Sequence, residues 1–101
     1  MTSSTVDVQQ AVAVKVSVKS SLLKVELADG RIISVPLDWF PRLQAGTPKE
    51  RSQWTLIAKG NGIHWPDLDE DISVTNLLLG QRSAESKKSL EKWRLGKKKK
   101  G

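Results

Sequence analysis

Between residues 12 and 37 the apolar side chains fall on every second position. Val12, Val14, Val16 and Val18 alternate with Ala13, Lys15, Ser17 and Lys19; Leu23, Val25 and Leu27 alternate with Lys24 and Glu26; Ile33, Val35 and Leu37 follow. A period of two is that of a strand with one buried face, so three strands are predicted, the first with its four valines turned inward. Asp29-Gly30 marks a turn whose length decides the register. A two-residue loop would oppose Leu27 to Ile32 and Val25 to Ser34, mixing apolar and polar residues on one face. A three-residue loop, Ala28-Asp29-Gly30 with Gly30 left-handed, opposes Val25 to Ile33 and Leu23 to Val35 and keeps that face apolar. Pro36 has no backbone donor and closes the third strand.

The pattern then changes. Asp38 reads as the N-cap of a short helix carrying Trp39, Phe40 and Leu43, with Pro41 in its first turn and Gly46 as its stop. Thr47-Pro48-Lys49-Glu50 has the form of a capping box, which starts a second short helix. Residues 54–59 return to alternation, Gly60-Asn61-Gly62 turns the chain, and Ile63-His64-Trp65 pairs back as a strand that Pro66 ends. Asp67 or Asp69 is expected to cap a helix over residues 72–79, stopped by Gly80. A last helix over residues 83–95 is polar except for Leu90 and Trp93. The fold class is α+β, a small antiparallel-rich sheet in the order β-β-β-α-β-β-α, plus a C-terminal amphipathic helix and a basic tail. Residues 1–10 are expected to be a disordered lead-in, 11–80 the domain, 81–95 the helix and 96–101 a disordered basic tail.

Charge divides the chain where the pattern does. The formal net charge is +6, and from Gln81 onward nine basic residues stand against Glu85 and Glu91. The excess therefore lies in the tail, the first eighty residues being near neutral, and attraction to a polyanion would originate there. With 101 residues the chain supports one domain, and the absence of cysteine excludes disulfides, thiolate zinc and thiol chemistry and fits a reducing cytoplasm. No apolar run reaches the roughly eighteen residues of a membrane span, so a soluble cytoplasmic protein is expected.

Several of these segments together resemble a small bacterial family, domain of unknown function 2442. The likeness is carried by the hairpin around Asp29-Gly30-Arg31, by Trp39-Phe40-Pro41-Arg42-Leu43, and by Gly62-Ile63-His64-Trp65-Pro66 followed by Leu68-Asp69-Glu70-Asp71-Ile72. It extends through Leu77-Leu78 and the serine-rich segment before Trp93, covering roughly residues 12–95. The resemblance implies a compact α+β domain with no established catalytic activity. It also implies a partner from a second small family, in an arrangement similar to toxin and antitoxin pairs. Some members add a helix-turn-helix domain, for which too few residues follow Gly80 here, and the lysine tail is not assigned by the family pattern, so a role for it rests on charge alone.

Candidate chemistry concentrates in residues 60–72. His64 is the one side chain with an ordinary pKa near neutrality, and an enzyme would pair it with Asp67 or Asp69, or build a hard-metal site from His64, Asp67, Asp69 and Asp71. Neither a second histidine nor a glycine-rich phosphate loop accompanies it. Carboxylates at a helix start are sufficiently explained by capping. No catalytic residue, cofactor or metal is therefore expected. The expectation is a non-enzymatic protein-interaction module, antitoxin-like in its finer form, gripping another protein through Trp39, Phe40, His64, Trp65, Leu90 and Trp93. The alternative is weak binding of nucleic acid or another polyanion by Lys87, Lys88, Lys92, Arg94, Lys97, Lys98, Lys99 and Lys100.

Overall fold

The computed structural model describes the backbone of residues 11–100 and the side chains of residues 11–97; the lead-in expected over residues 1–10 and the final glycine lie outside the described residues. Strands β1 (Ala13–Lys19), β2 (Leu22–Leu27) and β3 (Ile32–Pro36) form an antiparallel sheet in that order. The β2–β3 register is the predicted one, Val25 pairing with Ile33 and Leu23 with Val35. The loop is three residues long: the Leu27 N–H donates to the Arg31 carbonyl at 2.8 Å, and Gly30 takes the left-handed position at φ 97°.

β1 departs from strict alternation. The register shifts between Ala13 and Lys15, so Val14 is an extra residue and the inward parity changes along the strand. Ala11, Ala13 and Val16 are buried, whereas Val12 and Val14 are 37% and 52% exposed. The expected inward valine face therefore holds only beyond the bulge, for Val16 and for Val18, which packs against the core.

After β3, Leu37 is drawn into the core within a single 3-10 turn, Leu37–Trp39. That turn consumes Asp38, so helix α1 (Pro41–Ala45) is preceded by Phe40 and has no side-chain cap. Helix α2 (Pro48–Ser52) carries the full capping box: the Glu50 N–H donates to Thr47 Oγ1 at 3.1 Å and the Thr47 N–H to Glu50 Oε1 at 2.9 Å.

A second antiparallel sheet follows, β4 (Thr55–Ile57), β5 (Gly62–Trp65) and β6 (Glu70–Ser73), again in chain order. β6 occupies the expected start of a helix, and neither Asp67 nor Asp69 is a helix N-cap. Asp69 lies at φ 51°, reversing the chain after the 3-10 turn Pro66–Leu68 so that β6 runs back along β5. Ile72 then pairs with Ile63, Asp71 with His64 and Glu70 with Trp65. A helix over the same residues would leave the second side of β5 unpaired. The helix begins instead at α3 (Val74–Leu78), where Ser73 Oγ accepts the Asn76 N–H at 3.2 Å. It ends at Gly80, φ 76°, with the Gly80 and Gln81 N–H groups donating to the carbonyls of Leu77 and Asn76 at 3.0 and 2.9 Å.

The two sheets enclose one core. Leu23, Val25 and Val35 come from the first sheet and Ile63, Trp65 and Ile72 from the second, with Leu43, Leu68, Val74 and Leu77 filling between. Asn61 ties the start of β1 to the second half: its Nδ2 donates to the Ala11 carbonyl at 2.8 Å and to Thr75 Oγ1 at 3.0 Å, and its carbonyl accepts the Val74 N–H at 2.8 Å. The neighbouring Gly60, φ 91°, leaves no room for a side chain, since a Cβ there would lie 2.5 Å from Val12 Cγ1. Helix α4 (Lys87–Lys100) starts four residues later than the expected Ser83 and remains helical past Gly96, where the sequence suggested a tail. Its fourteen residues span about 21 Å.

Candidate interaction surface around helix α4

Arg42 organises the surface on which α4 rests. It projects from α1, immediately after the proline that starts that helix, and its side chain is only 18% exposed. Nε donates to Glu85 Oε1 at 2.6 Å and Nη2 to Glu85 Oε2 at 3.1 Å, a two-pronged pair with a carboxylate that is itself 8% exposed. Nη1 donates to the Asp69 carbonyl at 2.8 Å and to Asp69 Oδ2 at 3.2 Å. The guanidinium also lies 5.1 Å from the centre of the Trp93 ring. One side chain thus joins α1, the turn before β6, the segment leading to α4, and α4 itself.

A second tether comes from α2. Glu50 uses Oε1 to complete the capping box and Oε2 to pair with the Lys97 ammonium, which lies 5.4 Å from the Trp93 ring centre. The hydrogen bond from Lys97, with that from the Thr47 backbone, holds the Glu50 carboxyl below its ordinary range. Burial pushes the Glu85 carboxyl up, but hydrogen bonds from Arg42 and Ser89 outweigh it and leave the group lowered. The segment before α4 is pinned at one further point, where the Ser83 N–H donates to the Trp39 carbonyl at 3.0 Å and Arg82 lies 4.8 Å above the Trp39 ring.

Glu70 stands apart from the other carboxylates here. Burial raises its pKa to about 7 from 4.5; the Arg42 charge pulls it down, and Glu85, Asp71 and Asp69 push it up. The unfolded chain releases this proton near 4.5, so the folded chain holds it more tightly. The associated stability is present below about pH 4.5 and is lost as the pH rises toward 7. Urea midpoints measured from pH 5 to 8 are expected to fall for the wild type and to stay flatter for Glu70→Gln. Equal slopes for the two would remove Glu70 as the source.

The residues singled out in the sequence separate by exposure and partner. Phe40 and Trp65 are 5% and 0% exposed and belong to the core, so they offer no surface to a partner. Trp65 also donates its Nε1 hydrogen to the Arg51 carbonyl at 3.0 Å. Trp39, Leu90 and Trp93 are half-buried, and Trp93 packs back against the domain. His64 is half-exposed on β5 and its Nδ1 pairs with Asp71 across the sheet; neither Asp67 nor Asp69 joins it. Among the described residues no three His, Cys, Asp or Glu side chains gather into a metal-binding group. Lys87, Lys88, Lys92 and Arg94 are exposed, Lys97 is half-buried, and the side chains of Lys98, Lys99 and Lys100 lie outside the described residues. Sequence reasoning missed Arg42, Glu50 and Glu85 as tethers. The motif around Trp39 and the capping box contained two of them, but nothing local to residue 85 points to residue 42.

Fold and surface together define the class: a small α+β domain of two three-stranded antiparallel sheets, with a C-terminal helix strapped to one side by charged side chains. The chain belongs to the family of proteins of unknown function DUF2442, whose model matches residues 12–83. The match stops short of α4, so the Leu90–Trp93 stripe and the lysines lie outside it. Two solved structures share the fold. A crystal structure of a protein of unknown function from Rhodospirillum rubrum is 23% identical, with a TM-score of 0.66, over 74% of this chain and 93% of that one. A solution structure of the uncharacterised protein CV0863 from Chromobacterium violaceum is 22% identical, with the same TM-score of 0.66, over 87% of this chain and 81% of that one. No curated protein matches the chain. No helix among the described residues is long and apolar enough to cross a membrane.

Proposed function

We propose that this chain is a non-enzymatic protein-interaction module that grips another protein through α4 and the surface beside it. The observation that carries the reading is how α4 is held. Among its described residues it contributes no fully buried side chain to the core, resting on Trp93 and Lys97 with Leu90 half-buried, while Lys88, Lys92 and Leu95 are exposed. A helix of this length is marginal in water on its own. An element kept helical by one seam, with Leu95 58% exposed, is suited to being shared with a partner. Trp39, tied to the segment leading to α4 through Arg82 and Ser83, is included in the candidate contact surface, and His64 on β5 is a separate candidate contact. The non-enzymatic part is supported by His64, whose Asp71 partner leaves it on an open sheet face apart from Asp67 and Asp69. The family resemblance adds the finer form of the reading, an antitoxin-like role beside a second small protein in a bacterial cytoplasm. A photo-crosslinking side chain at position 95 tests it in cells: a discrete protein adduct is expected there and not at Ile32, exposed on β3. Equal adducts at both positions, or none at 95, would sink the reading.

The alternative is polyanion binding, favoured by the exposure of Lys87, Lys88, Lys92 and Arg94 on a helix docked through other residues. It predicts that binding to single-stranded DNA weakens steeply with salt, and that removing residues 96–101, which takes away Lys97 to Lys100 and leaves Lys87, Lys88, Lys92 and Arg94, lowers both the affinity and that slope. Binding that persists unchanged in the shortened chain would contradict it.

A further inference from the structure

We propose that the free side of β1 and the groove beside it form a docking site for an extended, acidic segment of a partner protein, which adds to the first sheet as a fourth strand. The site is separate from α4, since α2 stands between them with Glu50 engaged by Lys97 and Arg51 facing the groove, so either proposal can fail alone.

The sheet order β1-β2-β3 makes β1 an edge. In an antiparallel pair, every second residue directs its N–H and C=O away from its neighbour, so β1 presents a row of donors and acceptors on its outer side. Among the described residues no backbone hydrogen bond other than those to β2 reaches residues 14–19. The space beside the strand is a groove of about 530 Å³, walled by Val16, Val18 and Lys19 on one side and by Pro48, Arg51 and Trp54 on the other. It runs along consecutive residues of one strand, which is the shape an added strand requires.

The lining decides what kind of strand. Val18 and Trp54 are half-buried and supply apolar contact for alternate side chains. The charges along the edge are Lys15 and Lys19, both exposed, and Arg51, which donates Nε and Nη2 to the carbonyls of Leu43 and Gln44 at 2.7 and 2.8 Å. The groove lining contains no carboxylate. A second copy of β1 is disfavoured, because the interface would gather four lysines, and like charges at cross-strand spacing destabilise a pair. An acidic strand turns the same lysines into favourable cross-strand pairs. Lysine on an edge strand is also a guard against indiscriminate pairing, and here it leaves acidic strands as the admitted class.

The test is titration of the full ¹⁵N-labelled chain with two end-blocked peptides of about eight residues, enough to span the strand, one alternating valine with glutamate and the other valine with lysine. The expected result is saturable shifts of amides in residues 15–19 and of the Trp54 indole with the glutamate peptide alone. Lys15→Glu with Lys19→Glu, both at exposed positions, is expected to weaken binding about tenfold. Trp54→Ala weakens it as well if the groove and not charge alone receives the strand. The proposal is overturned if the glutamate peptide leaves residues 15–19 unmoved or the two peptides bind alike. It is equally overturned if the shifts gather on the lysines of α4.

Discussion

Trp65→Ala is expected to cost about 3–5 kcal/mol, the largest loss from any single truncation in this chain. Trp65 is 0% exposed, the largest of the fully buried side chains, and it lies on the strand that both neighbours of the second sheet pair with. The substitution opens a cavity between the sheets and leaves the Arg51 carbonyl without the indole donor at 3.0 Å. A domain of this size has a total stability of about 5–15 kcal/mol, and each kcal/mol moves the thermal midpoint by roughly 4–8 °C. The variant is therefore expected to melt at least about 12 °C lower, or to lack a cooperative transition. Trp65→Phe keeps most of the apolar volume and should fall between the two. A Trp65→Ala midpoint within about 5 °C of the wild type would contradict the placement of this residue in the core.

The first half of the fold was legible because its signals are local. Alternation from Leu23 to Leu37 and one glycine able to take positive φ settle a hairpin register without reference to the rest of the chain. The capping box at Thr47 was legible for the same reason. The failures are all tertiary. The bulge at Val14 is invisible in a run of valines, because either parity offers apolar side chains to the core. The stretch from Asp67 to Asp71 has the composition of a helix start. It becomes turn and strand because Ile72 and Glu70 find partners in Ile63 and Trp65, and because Asp69 accepts a left-handed backbone. Phe40 and Trp65 were read as contact residues since a sequence does not distinguish an aromatic anchor from an aromatic core. The surface around α4 was half visible: Trp93 and the lysines could be named, but the side chains that hold them are more than forty residues away in the chain.

Arg42→Ala is expected to release α4 while sparing the core. The substitution removes a two-pronged charged pair with Glu85, the contacts to Asp69, and the cation over Trp93. Hydrogen bonds between charged groups contribute about 1.5–3 kcal/mol, and a partly exposed cation–aromatic contact about 0.5–1 kcal/mol. Asp69 is 80% exposed at its side chain and adds little. Glu85 lies on the segment leading to α4 and rehydrates once that segment swings free, which offsets part of the loss. A net seam energy of about 1.5–3 kcal/mol corresponds to a loss of roughly tenfold to a hundredfold in amide exchange protection over residues 90–97. Amides of β2 and β5 should keep theirs to within a fewfold. Uniform loss across the chain would mean that Arg42 supports the core, and no loss anywhere would mean that Trp93 and the Lys97–Glu50 pair hold the helix without it.

The most direct test of the account is quantitative affinity capture from cells, comparing the intact chain with Leu90→Ala, Trp93→Ala and Arg42→Ala at matched expression. One stoichiometric protein partner is predicted on the intact chain, with its recovery reduced at least about tenfold by Leu90→Ala or Trp93→Ala, because either loosens the seam that presents α4 to the partner. Arg42→Ala should change recovery only through the freedom it gives α4. No stoichiometric partner, or a partner retained equally by the intact chain and all three variants, would contradict it.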